Sequence, residues 1–265
     1  MNFTVHKGTA LITGASSGIG ATYADRLARR GYDLILVARN DDRLRTLATE
    51  ITDATGRSVE TLAADLTEEA GLVRVEQVLR SDSSITLLLN NAGVGATAPL
   101  LHSDIGKMNA MIALNVNAPM RLTYATAPGF AARGAGTIIN ISSIAAVAPE
   151  LLNGVYGGSK AFMLAFSQSL QHELADKGIR VQAVLPGATA TAFWDIAGTP
   201  VDKLPEGIVM PVETMVDAAL AALDQGEIVT IPSLPDVADW DAFEGARLAL
   251  GPNLSHSAAA PRLVA

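Results

Sequence analysis

Residues 13–20 read Thr13-Gly14-Ala15-Ser16-Ser17-Gly18-Ile19-Gly20, and they stand between a short apolar run of β type, Thr9 to Thr13, and a helical pattern from Ala21 to Arg30. Glycine lets a backbone turn tightly and come close to a ligand. The first N–H groups of the following helix point into such a turn, with the positive end of the helix dipole behind them. The stretch therefore reads as a cradle for a nucleotide pyrophosphate, built from Gly14, Ser16, Ser17, Gly18, Ile19 and Gly20. A βα turn that uses glycine only for its positive φ is the alternative, and in a chain with 23 glycines the cluster alone does not separate the two.

Outward from this turn the same alternation repeats. Strand-like runs at Leu34 to Ala38, Ser58 to Ala63, Ile85 to Leu89, Gly136 to Ile141, Arg180 to Leu185 and Glu227 to Ile231 are spaced by helical patterns. These patterns cover Asp41 to Thr55, Glu68 to Leu79, a region around Lys107 to Ala132, and Gly157 to Lys177. Strands spaced this way make βαβ units and a parallel sheet. Right-handed crossovers put helices on both faces, so the strands are expected to be apolar throughout, as LILVA at 34–38 is. The expected fold is α/β, a single-domain doubly wound parallel sheet over residues 1–265. From about 232 to 265 the rhythm is lost and Pro, Ala and Ser accumulate, which reads as an ordered tail or a partner-contacting arm.

Composition narrows the chemistry. The 265 residues carry 27 acidic and 19 basic side chains, a formal charge of −8, and no cysteine. Without cysteine there is no disulfide framework, thiolate nucleophile or Cys-based metal site, and His6, His102, His172 and His256 are too scattered to suggest a metal centre. An acidic chain without basic runs is not expected to bind nucleic acid or an anionic membrane. No apolar stretch reaches a membrane span, and the glycine-rich loop comes before any signal-peptide core forms, so the expectation is a cytoplasmic protein acting on a small molecule. With 49% hydrophobic and 17% charged residues, large subunit contacts are also expected.

In open α/β sheets ligands bind at the C-terminal ends of the strands. There the second strand is followed by Arg39, the third by Asp65 and Leu66, and the fourth by Asn90-Asn91-Ala92-Gly93. A guanidinium beside an adenosine ribose can grip a 2′-phosphate, and a hydrogen bond to a charged group contributes roughly 1.5 to 3 kcal/mol. NADP(H) is therefore expected, with NAD(H) as the second choice. Asp41 and Asp42 complicate the reading, since they either cap the next helix or repel the phosphate.

Tyr156 and Lys160 stand four apart, on one face of a helix. A phenol ionises near 10, and bringing it to about 7 takes roughly 4 kcal/mol, which a close lysine and a cationic nicotinamide together can supply. Ser143, at the end of the apolar run GTIINISS, can hold the same substrate oxygen.

The joint pattern T-G-x-x-x-G-x-G at 13–20, N-N-A-G at 90–93, Ser143 with Tyr156-x-x-x-Lys160, and Pro186-Gly187 leading to Thr191 resembles the short-chain dehydrogenase/reductase family, over at least residues 9–191. The resemblance implies an NADP(H)-dependent oxidoreductase acting on a carbonyl or secondary alcohol. A cofactor-binding sensor or scaffold of the same fold is the alternative. It implies that Ser143, Tyr156 and Lys160 are catalytic, with Asn115 in a proton relay and Asn117 as its rival. Asp65 meets adenine in this reading, Asn91, Ala92 and Gly93 face the cofactor, and Pro186, Gly187, Thr189 and Thr191 serve the nicotinamide, Thr189 being able to replace Thr191. Residues 192–211 become the substrate lid, whose apolar character, with that of Leu151, Leu152 and Val155, suggests an apolar or aromatic carbonyl compound. The helices around 107–132 and 157–177 are expected to pair between subunits of a homodimer or homotetramer.

Overall fold

The alternation of strand and helix closes into one seven-stranded parallel sheet in the order β3-β2-β1-β4-β5-β6-β7, in a computed structural model that describes residues 7–264. His6 lies outside these residues. The strands are β1 (Thr9–Thr13), β2 (Asp33–Ala38), β3 (Val59–Ala63), β4 (Ile85–Asn90), β5 (Gly136–Ile141), β6 (Ile179–Val184) and β7 (Val229–Thr230). Helices α1 (Gly18–Arg29), α2 (Asp41–Thr55), α3 (Glu69–Ser81), α4 (Ile105–Ile112), α5 (Ala118–Arg133), α6 (Gly154–Leu174), α7 (Phe193–Ala197) and α8 (Val212–Gln225) accompany them. The order of strands reverses at β1, which pairs with β2 on one side and β4 on the other. That reversal opens a crevice beyond the strand ends, with the turn 13–20 on one side and the loop 91–93 on the other.

Alternation along β1 explains why Ala10, Leu11 and Ile12 are all apolar. Ala10 and Ile12 enter a core with Leu27 of α1, Leu44 of α2 and Leu220 of α8, whereas Leu11 enters the opposite core with Val75 of α3, Leu122 of α5 and Leu170 of α6. Several strands depart from the expectation of continuous apolar residues; in the middle of the sheet, buried Asn90 of β4 donates from Nδ2 to Oδ1 of buried Asn140 in β5 at 2.9 Å. At the sheet edge β3 reads VETLA and is only half-buried, because one side has no neighbour. In β6, Gln182 is buried, and its Nε2 donates to Ala219 O at 3.0 Å and Thr230 Oγ1 at 2.9 Å. An amide with partners is tolerated there.

The helix expected around 107–132 is interrupted. Between α4 and α5 the backbone makes one π-helical turn, Ala113–Asn117, and such turns are frequent at functional sites. The cap of α2 is also a correction. Asn40, not Asp41 or Asp42, accepts from the N–H of Arg43 at 2.9 Å, while Asp41 pairs with Arg45.

The chain divides into two compact units between Pro232 and Ser233. Within the second, where sequence periodicity fails, Val237–Ala249 form helix α9, capped by Asp236, whose carboxylate accepts from Ala238 N at 2.9 Å. Trp240 and Phe243 pack ring to ring at 5.3 Å, and no residue of α9 is buried.

Candidate active site

The glycine turn is built as a cradle. Gly14 and Gly18 take positive φ. A Cβ on Gly20 would lie 2.4 Å from the carbonyl oxygen of Gly14, so that position excludes any side chain. Ser17 precedes α1 in extended backbone and its hydroxyl makes no capping bond, which leaves the first N–H groups of the helix for an anion in the turn. Ile19 packs its side chain toward the core, so it can serve an anion only through its backbone.

The loop after β4 is tied to this turn. Asn91 Nδ2 donates to Thr13 O at 2.8 Å and Gly14 O at 3.1 Å, and the N–H groups of Asn91 and Ala92 both donate to Thr13 Oγ1 at 3.0 Å. Asn91 thus holds the two loops in register. Thr191 lies against the same turn, since a Cβ on Gly18 would meet its methyl at 3.2 Å. Thr189 is buried, and its hydroxyl donates to Gly187 O at 3.1 Å. Of the two threonines, the structure brings Thr191 to the cradle.

Arg39 is exposed at the end of β2 and makes no hydrogen bond or ion pair among the described residues. Asp65 stands near it. Burial acts to raise the Asp65 carboxyl, but hydrogen bonds from Thr67 and the charge of Arg39 hold it below the usual carboxylate range. Its Oδ1 accepts from Thr67 N at 2.9 Å and Oγ1 at 2.7 Å, which starts the turn into α3. The side chain of Leu66 is buried in the core, so it can meet a ligand through its backbone.

The π-turn decides between the two asparagines. Asn115 is buried while Asn117 is exposed. Asn115 clamps the loop after β4, accepting from Val94 N at 3.0 Å and donating to Val94 O at 2.9 Å, and it also donates to Ser159 Oγ at 3.1 Å. Gly93 sits between Asn115 and Lys160, because a Cβ there would meet Asn115 Oδ1 at 3.2 Å and Lys160 Nζ at 3.5 Å.

Tyr156 and Lys160 project from α6 into this space, both buried. Burial pushes the Tyr156 phenol up to about 12, against a hydrogen bond with Ser143 that pulls it down. Burial also lowers Lys160 to about 8. Lys160 Nζ donates to Ile141 O at 2.9 Å and lies 5.8 Å from the Tyr156 ring centroid. The sequence reading asks a lysine and a cationic nicotinamide to lower the phenol together, and the protein alone supplies only the first. In the protein alone the phenol is a weaker acid than usual, because desolvation outweighs its partners and the ammonium is turned toward a carbonyl. Ser143 Oγ accepts from Ala145 N at 3.1 Å. Tyr156 packs in an apolar cluster with Met108, Val94, Leu152, Val155 and Phe193.

A doubly wound sheet with a glycine cradle at its switch point and a Ser, Tyr and Lys set beside it defines a nucleotide-binding α/β enzyme. The sequence model for the short chain dehydrogenase family matches residues 8–199. The chain belongs to that family and is an oxidoreductase. A short-chain dehydrogenase from Sphingobium yanoikuyae in complex with NADPH is 49% identical, with 97% of this chain and 100% of that one covered and a TM-score of 0.94. A bulky-bulky ketone specific alcohol dehydrogenase from Comamonas testosteroni is 44% identical over 98% of this chain and 100% of its own, with a TM-score of 0.91. A very-long-chain 3-oxoacyl-CoA reductase of Anas platyrhynchos is 34% identical over 198 residues, which span 73% of this chain and 64% of that reductase. Among the described residues no helix is long and apolar enough to cross a membrane.

Proposed function

We propose that the protein uses NADP(H) to reduce an apolar or aromatic ketone or aldehyde, with Ser143, Tyr156 and Lys160 as the reacting set and Asn115 positioning the loop beside them. The observation that carries this reading is the buried Tyr156 side chain, close to Ser143 and packed among Met108, Val94, Leu152, Val155 and Phe193. A polarised oxygen site beneath apolar side chains suits a carbonyl carbon with hydrocarbon substituents. A sensor that only binds the nucleotide has no need of it.

The residues fit the dinucleotide. Gly20 leaves no room for a side chain beneath a pyrophosphate, the start of α1 faces the same space, and Arg39 is an uncommitted cation where the adenosine ribose would lie. Bound NADPH supplies the hydride. Ser143 and Tyr156 would hold the substrate oxygen, Tyr156 would deliver its proton there, Lys160 would hold the ribose and, together with the bound nicotinamide, support the phenol, and Asn115 keeps the loop at Val94 in place. Oxidation of NADPH with a panel of aryl and alkyl ketones tests the reading, which falls if none is reduced.

Cofactor choice rests on Arg39. The double variant Ala38→Asp/Arg39→Ile adds a ribose acceptor that repels a 2′-phosphate and removes its cation, so kcat/KM for NADPH over NADH is expected to fall by on the order of 10- to 150-fold. High salt should narrow the parent's preference, because screening weakens an exposed ion contact. A parent that already prefers NADH refutes the role of Arg39.

Self-association is expected through α5 and α6. Tyr124 on α5 is 70% exposed, and Phe162 and Phe166 stack at 5.5 Å on a half-buried face of α6. Apolar rings at such positions favour a protein partner. Sedimentation at micromolar concentration should give a dimer or tetramer, and a species of 27.5 kDa would refute it.

A further inference from the structure

Phe193, the first residue of α7, has its ring edge where a side chain on residue 95 would be. A Cβ built on Gly95 would lie 2.2 Å from Phe193 Cζ and 2.9 Å from Cε2. The backbone of Gly95 does not need glycine, since it is not among the residues of positive φ. What requires glycine there is the ring. The other sides of the ring are also occupied, with Tyr156 tilted against it at 5.9 Å between centroids and Trp194 edge-on at 5.6 Å.

The helix that carries the ring is fastened at both ends. Trp194 is buried, and its Nε1 donates to Thr189 O at 3.0 Å. At the other end Ala197 O accepts from both Thr97 N and Thr97 Oγ1 at 3.0 Å, and Thr199 Oγ1 bonds Thr97 Oγ1 at 3.1 Å. These bonds join α7 to the loop that contains Gly95. A side chain at 95 therefore cannot be relieved by sliding α7 away. The ring must swing about its own Cα–Cβ bond, and with Trp194 buried and hydrogen-bonded on its other side it is pressed toward Tyr156, against which it already lies.

We propose that Gly95 and Phe193 act together as the specificity-determining pair of the substrate cleft, Phe193 forming its movable wall and Gly95 setting how far that wall retracts from the Tyr156 hydroxyl. A glycine seat keeps the wall back and leaves room for ketones with large groups on both sides of the carbonyl. The proposal rests on the ketone-reductase reading above.

The test compares acetophenone with benzophenone, as kcat/KM with NADPH, in the parent, Gly95→Ala, Phe193→Ala and the double variant. Gly95→Ala should lower the benzophenone to acetophenone ratio by tenfold or more, with NADPH affinity unchanged because the Phe193 ring lies against Gly95, Tyr156 and Trp194 and the variant leaves the bond from Phe193 N to Thr191 Oγ1 in place. Phe193→Ala should not lower the ratio, and in its background Gly95→Ala should have no effect, since coupling is the signature of a shared wall. Phe193→Trp thickens the wall without altering residue 95 and should move the ratio in the same direction, which keeps the test decisive if Gly95→Ala fails to fold. A ratio within threefold of the parent in both Gly95→Ala and Phe193→Trp, or a full Gly95→Ala effect persisting without the Phe193 ring, overturns the proposal. A parent that oxidises NADPH with neither ketone overturns the reading of function, and the proposal with it.

Discussion

Replacement of Tyr156 by Phe is expected to lower kcat for ketone reduction by on the order of 10²- to 10⁴-fold, the span that a positioned proton donor contributes. The ring should stay in place, because Phe193, Met108 and Ala145 pack against carbon that the variant keeps. NADPH affinity is therefore expected to match the parent, which separates loss of the proton from loss of the site. Direction matters for the pH profile. Burial raises the phenol in the protein alone, which favours the protonated form that reduction needs, while alcohol oxidation, which needs the phenolate, should accelerate as pH rises. Turnover of the variant within tenfold of the parent excludes Tyr156 as the donor.

Lys160→Met should be more damaging, since both kcat and NADPH affinity are expected to fall. Its effect on stability is a separate matter. Holding a cation at about 8 instead of its ordinary 10.5 costs the native state about 3 kcal/mol at neutral pH. The variant escapes that cost but leaves Ile141 O without the ammonium, which forfeits roughly 1 to 3 kcal/mol. The two nearly cancel, so urea midpoints at pH 7 should be close and the lost activity is not unfolding. The pH dependence differs. Between about 8 and 10.5 the unfolded parent holds a proton that the folded parent has released, so the contribution of this group to stability rises with pH across that window. Lys160→Met lacks this rise. A variant whose stability tracks the parent from pH 7 to 10 would show that Lys160 keeps its charge when buried.

Residues 13–20 and the four-residue interval from Tyr156 to Lys160 were legible in the sequence because their geometry is local. A glycine turn before a helix, or two side chains one helical turn apart, has the same form wherever the chain places it. The strand rhythm was legible for a related reason, since strands buried on both faces carry unbroken apolar runs, as Ala10–Ile12 of β1, Leu34–Ala38 of β2 and Leu87–Leu89 of β4 do. The edge strand β3 and the helix α9 escaped that rule because neither is buried on all sides.

The choice between Asn115 and Asn117 had no local answer. Only the π-turn rotates Asn115 inward toward Val94 and Ser159 and leaves its neighbour in solvent. Thr191 and Thr189 were separated in the same way, by which of them the loop after β6 lays against Gly18. The carbonyl that takes the Lys160 ammonium lies on β5, and the ring that requires glycine at 95 is Phe193, far along the chain. Sequence alone determined the periodicities and the spacing of reactive groups, which depend on backbone geometry within a few residues. Tertiary structure decided which groups meet and what burial does to their protons, because both depend on neighbours brought in by packing from distant segments.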